Sequence, residues 1–169
     1  MRLVFIRHAM AESAGGGGSE GGKLTREGTQ QAKAVAIALK AMGIDIQRVF
    51  TSPLLHAAET GGIIAHEFGG VGLEAIEALT PPGDGRRLRQ RIAELMDSDI
   101  AAAAVVGHAP SLGEMLGELI ADTRSVGVEI PRAGAAMIEL PVEEAPNGAV
   151  LHWLLTYEQI EAVALWGRR

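Results

Sequence analysis

Two kinds of hydrophobic pattern alternate along this chain. Short continuous apolar runs, with the length of buried strands, occur at Leu3-Val4-Phe5-Ile6 and Arg48-Val49-Phe50-Thr51, and again over 73–79 and 101–106. Between them apolar residues recur every three or four positions, the spacing of one helix face. Ala32, Val35, Ala36, Leu39 and Met42 form the first such face, with Thr25 as the cap before it. Ser52-Pro53 opens a second helix reaching about Phe68, with Pro at the first helical position, where its missing N–H does no harm. Leu88, Ile92, Leu95 and Met96 mark a helix over 86–96. Leu112, Met115, Leu116, Leu119 and Ile120 mark another, entered through Gly107-His108-Ala109-Pro110-Ser111. Residues 135–140 and 150–156 read as an antiparallel pair joined around Pro146-Asn147-Gly148, and a helix over 158–165 follows. Strand–helix alternation ending in two neighbouring strands implies an α/β fold: a three-layer α/β/α sandwich on a mostly parallel central sheet.

Composition narrows the setting. A chain of 169 residues with 47% hydrophobic content suits one domain spanning 1–169. The run from Gly15 to Gly22 reads as a surface loop, or as a flap over a site, because too few residues precede it to make a second domain. Without cysteine there are no disulfides and no thiolate metal sites. A net charge of −6 disfavours nucleic acid and acidic membrane surfaces as partners. The apolar run at 3–6 ends at Arg7, too early for a signal peptide, and no run approaches the roughly 20 residues of a membrane helix. The expected location is the cytoplasm.

In open α/β sheets, ligands sit beyond the carboxyl ends of the strands. Three segments carry polar groups there: Arg7-His8, Ser52 to Thr60, and Gly107-His108. A neutral imidazole is a competent nucleophile toward phosphorus, and a cationic neighbour such as Arg7 disfavours its protonation. The guanidinium fork can hold two phosphate oxygens and place phosphorus in line with the ring nitrogen. His8, His56 and His108 also make a possible three-histidine metal site, disfavoured because Arg7 opposes a divalent cation. His66 and His152 have no such context and read as exposed or hydrogen-bonded structural residues.

Four motifs then occur in order: Leu3 to Arg7-His8, Ser52-Pro53-Leu54-Leu55-His56-Ala57-Ala58-Glu59-Thr60, Leu79-Thr80-Pro81-Pro82-Gly83-Asp84, and Val106-Gly107-His108-Ala109-Pro110. Together they resemble the histidine phosphatase superfamily, of phosphoglycerate mutase-like fold, and within it the small SixA-type phosphohistidine phosphatases. The resemblance implies that His8 attacks the phosphoryl group and is transiently phosphorylated, and that water then hydrolyses the intermediate. It implies that Arg7 and His108 bind the equatorial oxygens, and that neither metal nor cofactor takes part. Inorganic phosphate or sulfate should bind in the same pocket.

Two positions depart from the family pattern. Ala9 stands where a glycine is usual; alanine costs on the order of 1 kcal/mol if φ is positive there and almost nothing otherwise, while its N–H remains as a phosphate contact. His56 stands where the second phosphate-binding arginine is usual, and histidine is shorter and cannot form the fork. Either His56 binds phosphate as a weaker donor, or Arg132, just before the fifth strand, fills the gap, or the chain keeps phosphate binding with little catalysis. A general acid could be Asp84, Glu77 or Glu12. Arg86, Arg87, Arg89 and Arg91 crowd one helix, as a solvated face or as a dock for an acidic partner. No long insertion is available for a lid, so the first expectation for the substrate is a phosphorylated protein, such as a histidine-containing phosphotransfer domain. A small phosphate ester is the alternative.

Overall fold

A computed structural model describes residues 1–13, 21–96, 99–140 and 148–167. Among them, six strands form one sheet: β1 (Arg2–Arg7), β2 (Arg48–Thr51), β3 (Gly72–Ala75), β4 (Ala102–Gly107), β5 (Ala135–Glu139) and β6 (Val150–Leu155). Their spatial order is β3-β2-β4-β1-β5-β6. The pairs β1/β4, β2/β4 and β2/β3 are parallel, and β5 runs antiparallel to both β1 and β6. The helices are α1 (Arg26–Ala41), α2 (Leu55–Glu67), α3 (Gly85–Met96), α4 (Ser111–Ala121) and α5 (Tyr157–Trp166). No helix among the described residues is long and apolar enough to cross a membrane.

The period of two along the strands splits the core into two layers. Val4, Ile6, Ala104 and Val106 point to the side covered by α1, α2 and α5, where Leu39, Ile64 and Ile160 are buried. Leu3, Phe5, Ala103 and Val105 point to the other side, against Leu88 and Ile92 of α3 and Leu112, Met115 and Leu116 of α4. The molecule is therefore a three-layer α/β/α sandwich. The alanines of β4 make sense in this setting: the strand is central and buried along its whole length, and small side chains admit helices on both faces. Two threonines start helices as side-chain caps. Thr25 accepts the Gly28 N–H ahead of α1, and Thr156 forms a reciprocal capping box with Gln159 ahead of α5.

Two local expectations need correction. Pro53 is not the first helical residue: α2 begins at Leu55 after an extended Leu54, whose N–H is taken by the Ser52 hydroxyl at 3.3 Å. The strand expected over 73–79 is only β3, followed by a 3-10 turn, Glu77–Leu79, that buries Leu79 under the sheet. The two late strands form the expected antiparallel pair, with β5 running against the parallel set. Of the turn residues expected between them, Pro146 and Asn147 lie outside the described residues, as do the side chains of Leu95 and Met96.

The strand order decides where the chemistry goes. Arg7 sits opposite Gly107 in the β1/β4 register, so His8 and His108 emerge side by side. β2 flanks β4 on its other side, and Ser52 N–H continues the ladder to the Val106 carbonyl at 2.9 Å, delivering α2 to the same edge. Ala104 is fully buried between the layers. Replacing Ala104 by Leu should overpack this point and lower stability by about 1–3 kcal/mol, read as a lower midpoint of urea unfolding.

Candidate active site

His8 leaves β1 with its backbone tied on both sides. Its N–H donates to the Gly107 carbonyl at 3.0 Å and its carbonyl accepts from Ala133 N–H at 3.4 Å. The ring turns back on its own chain, with Nδ1 2.9 Å from the Ala9 carbonyl oxygen. A carbonyl can only accept, so Nδ1 carries the hydrogen and Nε2 holds the lone pair. The His56 and His108 ring centroids lie 4.1 and 5.1 Å from that of His8, and 4.9 Å from each other. Nε2 of His56 and Nδ1 of His108 are 3.2 Å apart, so one ring donates to the other.

Burial keeps all three rings neutral. It is the main cause that holds His8 down at about 3, with smaller contributions from His56, His108 and Arg7, against the opposing bond to the Ala9 carbonyl. His108 is lowered to about 4 by burial, then by His56 and Arg7. His56 is also lowered, first by burial and then by Arg132, while the Gly21 and Gly22 carbonyls and Glu59 pull the other way. Those carbonyls face the ring without reaching hydrogen-bond geometry, because His56 Nδ1 has no partner.

Four buried side-chain polar atoms without a partner stand out among the described residues: Arg7 Nε, His56 Nδ1, His108 Nε2 and Ser111 Oγ. Three of the four belong to this cluster. Arg7 spends one bond on the Ile130 carbonyl, at 3.3 Å from Nη1. Ile130 leads into the turn that carries Arg132, closed by Gly134 N–H on the Pro131 carbonyl at 2.8 Å. Arg132 is itself exposed, yet its charge lowers both Arg7 and His56, which places it beside the cluster.

Other expected residues take different places. Ala9 is not among the residues with positive φ, so alanine in place of glycine is conformationally unstrained. Its N–H is not free for a ligand, because it donates to Thr60 Oγ1 at 3.2 Å in the interior. Asp84 caps α3, accepting Arg87 N–H at 3.1 Å and pairing with the Arg87 guanidinium at 3.4 Å. Glu77 is exposed and accepts a 3.4 Å bond from Thr80, and Glu12 is exposed beside Lys23. None of these three carboxylates is among the charges that shift the histidines. The arginines of α3 are largely spent internally: Arg87 on Asp84, Arg89 on Asp122, and Arg91 on Glu74 and Glu94. His66 is exposed, and His152 pairs with Glu139 at 2.9 Å across β5 and β6.

Thr60, Gln31 and Glu59 were not singled out by sequence reasoning, yet they hold the site together. Thr60 Oγ1 donates to the His56 carbonyl at 2.7 Å while receiving Ala9 N–H, coupling the two histidine segments. Gln31 Oε1 takes Met10 N–H at 2.9 Å, and Glu59 Oε2 takes Leu24 N–H at 2.6 Å. Thr60 is one helical turn beyond His56, and that i, i+4 spacing was the available signal.

Comparisons with known proteins agree with this geometry. A profile of the histidine phosphatase superfamily (branch 1) matches residues 3–81. An uncharacterized protein of Picosynechococcus sp. is 30% identical over 148 residues, covering 82% of this chain and 89% of its own. The phosphohistidine phosphatase SixA of Escherichia coli K12 is 28% identical over 124 residues, covering 70% of this chain and 74% of its own. The solved structure of the protein histidine phosphatase SixA with tungstate shares the fold at a TM-score of 0.78 and 23% identity, covering 93% of this chain and 97% of that one. A phosphoserine phosphatase of Entamoeba histolytica with 3-phosphoglyceric acid shares it at 0.68 and 16% identity, covering 94% and 98%.

Two outcomes follow from the buried cluster. Thr60→Val keeps the shape but strands the buried Ala9 N–H, and should cost about 1–3 kcal/mol in urea unfolding. In the unfolded chain the histidines titrate near 6.5, but His8 and His108 titrate at about 3 and 4 in the fold. The unfolded state therefore binds more protons through this window. Stability should be full above about pH 7 and decline as pH falls from there toward 4. Unfolding midpoints at pH 7.5 and 4.5 would show this, and His108→Asn should flatten the dependence.

Proposed function

The chain belongs to the histidine phosphatase superfamily, and on that premise we propose that it hydrolyses phosphohistidine on a protein through a covalent phospho-His8 intermediate. The observation that carries the reading is the neutral His8 ring, its Nδ1 hydrogen pinned by the Ala9 carbonyl and Nε2 left as a lone pair among unpartnered donors. Nε2 attacks phosphorus as the bond to the departing imidazole breaks. Water then attacks the phospho-His8 phosphorus, returns the electron pair to Nε2 and releases inorganic phosphate. Arg7 and His108 hold the equatorial oxygens, His108 through its unpartnered Nε2. Arg132 supplies the second positive charge that His56, held neutral, does not; His56 Nε2–H donates to His108 Nδ1 and so keeps the His108 hydrogen on Nε2, where it meets phosphate.

Substrate choice follows from the leaving group. An alkyl ester needs a carboxylic acid to protonate its poorly leaving oxygen, whereas a phosphoramidate leaves as neutral imidazole once its nitrogen carries a proton. Asp84 is tied to the start of α3, and Glu77 and Glu12 are exposed and not among the charges acting on the rings. This favours phosphohistidine over a sugar or nucleotide phosphate, and a phosphotransfer domain is the fitting partner. The similarity to SixA supports the same choice.

Release of phosphate from a phosphohistidine protein should fall by roughly 10³-fold or more in His8→Ala. Arg132→Ala should lose about 10- to 100-fold, and His56→Arg should gain about as much. Mass spectrometry after a basic quench should find a phosphoryl group on His8. Equal, slow release by wild type and His8→Ala would leave only an anion-binding module. Faster turnover of small phosphate esters would move the substrate class to those.

A further inference from the structure

The substitution of His56 for an arginine has a chemical consequence apart from phosphate. One ring nitrogen from each of His8, His56 and His108 lies within 4.8 Å of the other two. We propose that these three histidines form a binding site for a borderline divalent transition metal, Zn²⁺ above all, with the fourth coordination position open to water or an oxyanion. The inference rests on the placement of the rings and does not depend on the phosphatase reading.

The donor set suits that ion. Neutral imidazole nitrogens favour Zn²⁺ and its neighbours over Mg²⁺ and Ca²⁺, which take oxygen. Tetrahedral zinc with bonds of about 2.0–2.1 Å sets its ligand nitrogens about 3.4 Å apart. Nε2 of His56 and Nδ1 of His108 already stand at 3.2 Å. The widest gap of 4.8 Å closes through ring rotations. Metal-bound histidines usually donate their other ring N–H to a carbonyl or carboxylate. His8 does so already, from Nδ1 to Ala9 at 2.9 Å, and the Gly21 and Gly22 carbonyls face the His56 ring. With zinc on His56 Nε2 and His108 Nδ1, the ring hydrogens fall on His56 Nδ1 and His108 Nε2, the two nitrogens that no other protein group requires as acceptors.

Arg7 is the objection that the sequence raises. In the fold, Arg7 and Arg132 do lie near the rings, but Glu59 acts on His56 and Glu129 on Arg7 with opposite sign. Glu129 acts on Arg7 and on none of the rings, so bonds to three imidazole nitrogens have to outweigh a net cationic field. An arginine at position 56 would both add a charge and remove a ligand. Zinc bound this way occupies the His8 Nε2 lone pair, so metal binding and attack on phosphorus exclude each other.

The test uses the full chain, freed of metal by a chelator and carrying no polyhistidine tag. Zn²⁺ is titrated in competition with a chromophoric chelator, and Co²⁺ is added separately to read four-coordinate geometry from its visible absorption. One equivalent should bind to wild type and to His66→Ala, with the Co²⁺ band present. His56→Arg and His56→Gln, each checked for folding by circular dichroism, should bind at least roughly tenfold more weakly and lose the band. Undiminished binding in both His56 variants, or no stoichiometric binding by wild type, would overturn the proposal.

Discussion

Three imidazoles can share this much buried space only if they are uncharged. Ring centroids 4.1 to 5.1 Å apart leave no room for water between them, and a proton on His8 or His108 would be opposed by Arg7 and one on His56 by Arg132. Neutrality is thus imposed by packing. From it follow the free lone pair on His8, the donor–acceptor contact between His56 and His108, and the orphaned nitrogens on the far sides of both rings. A cluster that gives up its charge and leaves donors unpaired is costly, and that cost is offset only when an anion or a cation completes it.

The fold secures this packing from below. Strands β1, β4 and β2 are adjacent, so three successive loops open at one edge and no long connection is needed to bring the histidines together. The alanines of β4 let helices approach from both sides, which buries the strand ends and lowers the dielectric around His8 and His108. Above the sheet, Thr60 acts as a crosslink between the first strand's loop and the first turn of α2. The edge is therefore tied by backbone groups, the Thr60 hydroxyl and the Gln31 and Glu59 side chains, leaving the histidines free to meet a ligand.

Much of this was legible from the chain. Apolar periodicity gave the layer order, and Thr25 marked the start of α1. The order of Arg7-His8, His56 and Gly107-His108 located the edge where chemistry collects. What was not legible depended on partners distant in sequence. The start of α2 moved because the Ser52 hydroxyl took the Leu54 N–H, a local competition that helix propensity does not register. Asp84 looked like an acid by position, yet the start of α3 claims its carboxylate. The arginines of α3 read as a solvated face or as a dock for an acidic partner, and the partners Glu74 and Asp122 that Arg91 and Arg89 take come from β3 and from the end of α4.

His56 shows how such a substitution becomes part of a local design. A Cβ built on Gly21 would stand 1.9 Å from Cε1 of the His56 ring, so the chain can pass over this imidazole only as glycine. Glu59, from the same helix, holds the neighbouring Leu24 N–H and keeps that passage in place. The end of the glycine-rich segment is therefore fitted closely to the His56 ring. Position 56 and position 21 form one unit. In that unit the interior keeps a neutral ring that can accept, donate or ligate, and Arg132 stands exposed with its charge acting on His56. An exposed arginine is more strongly screened and less firmly held than a buried fork.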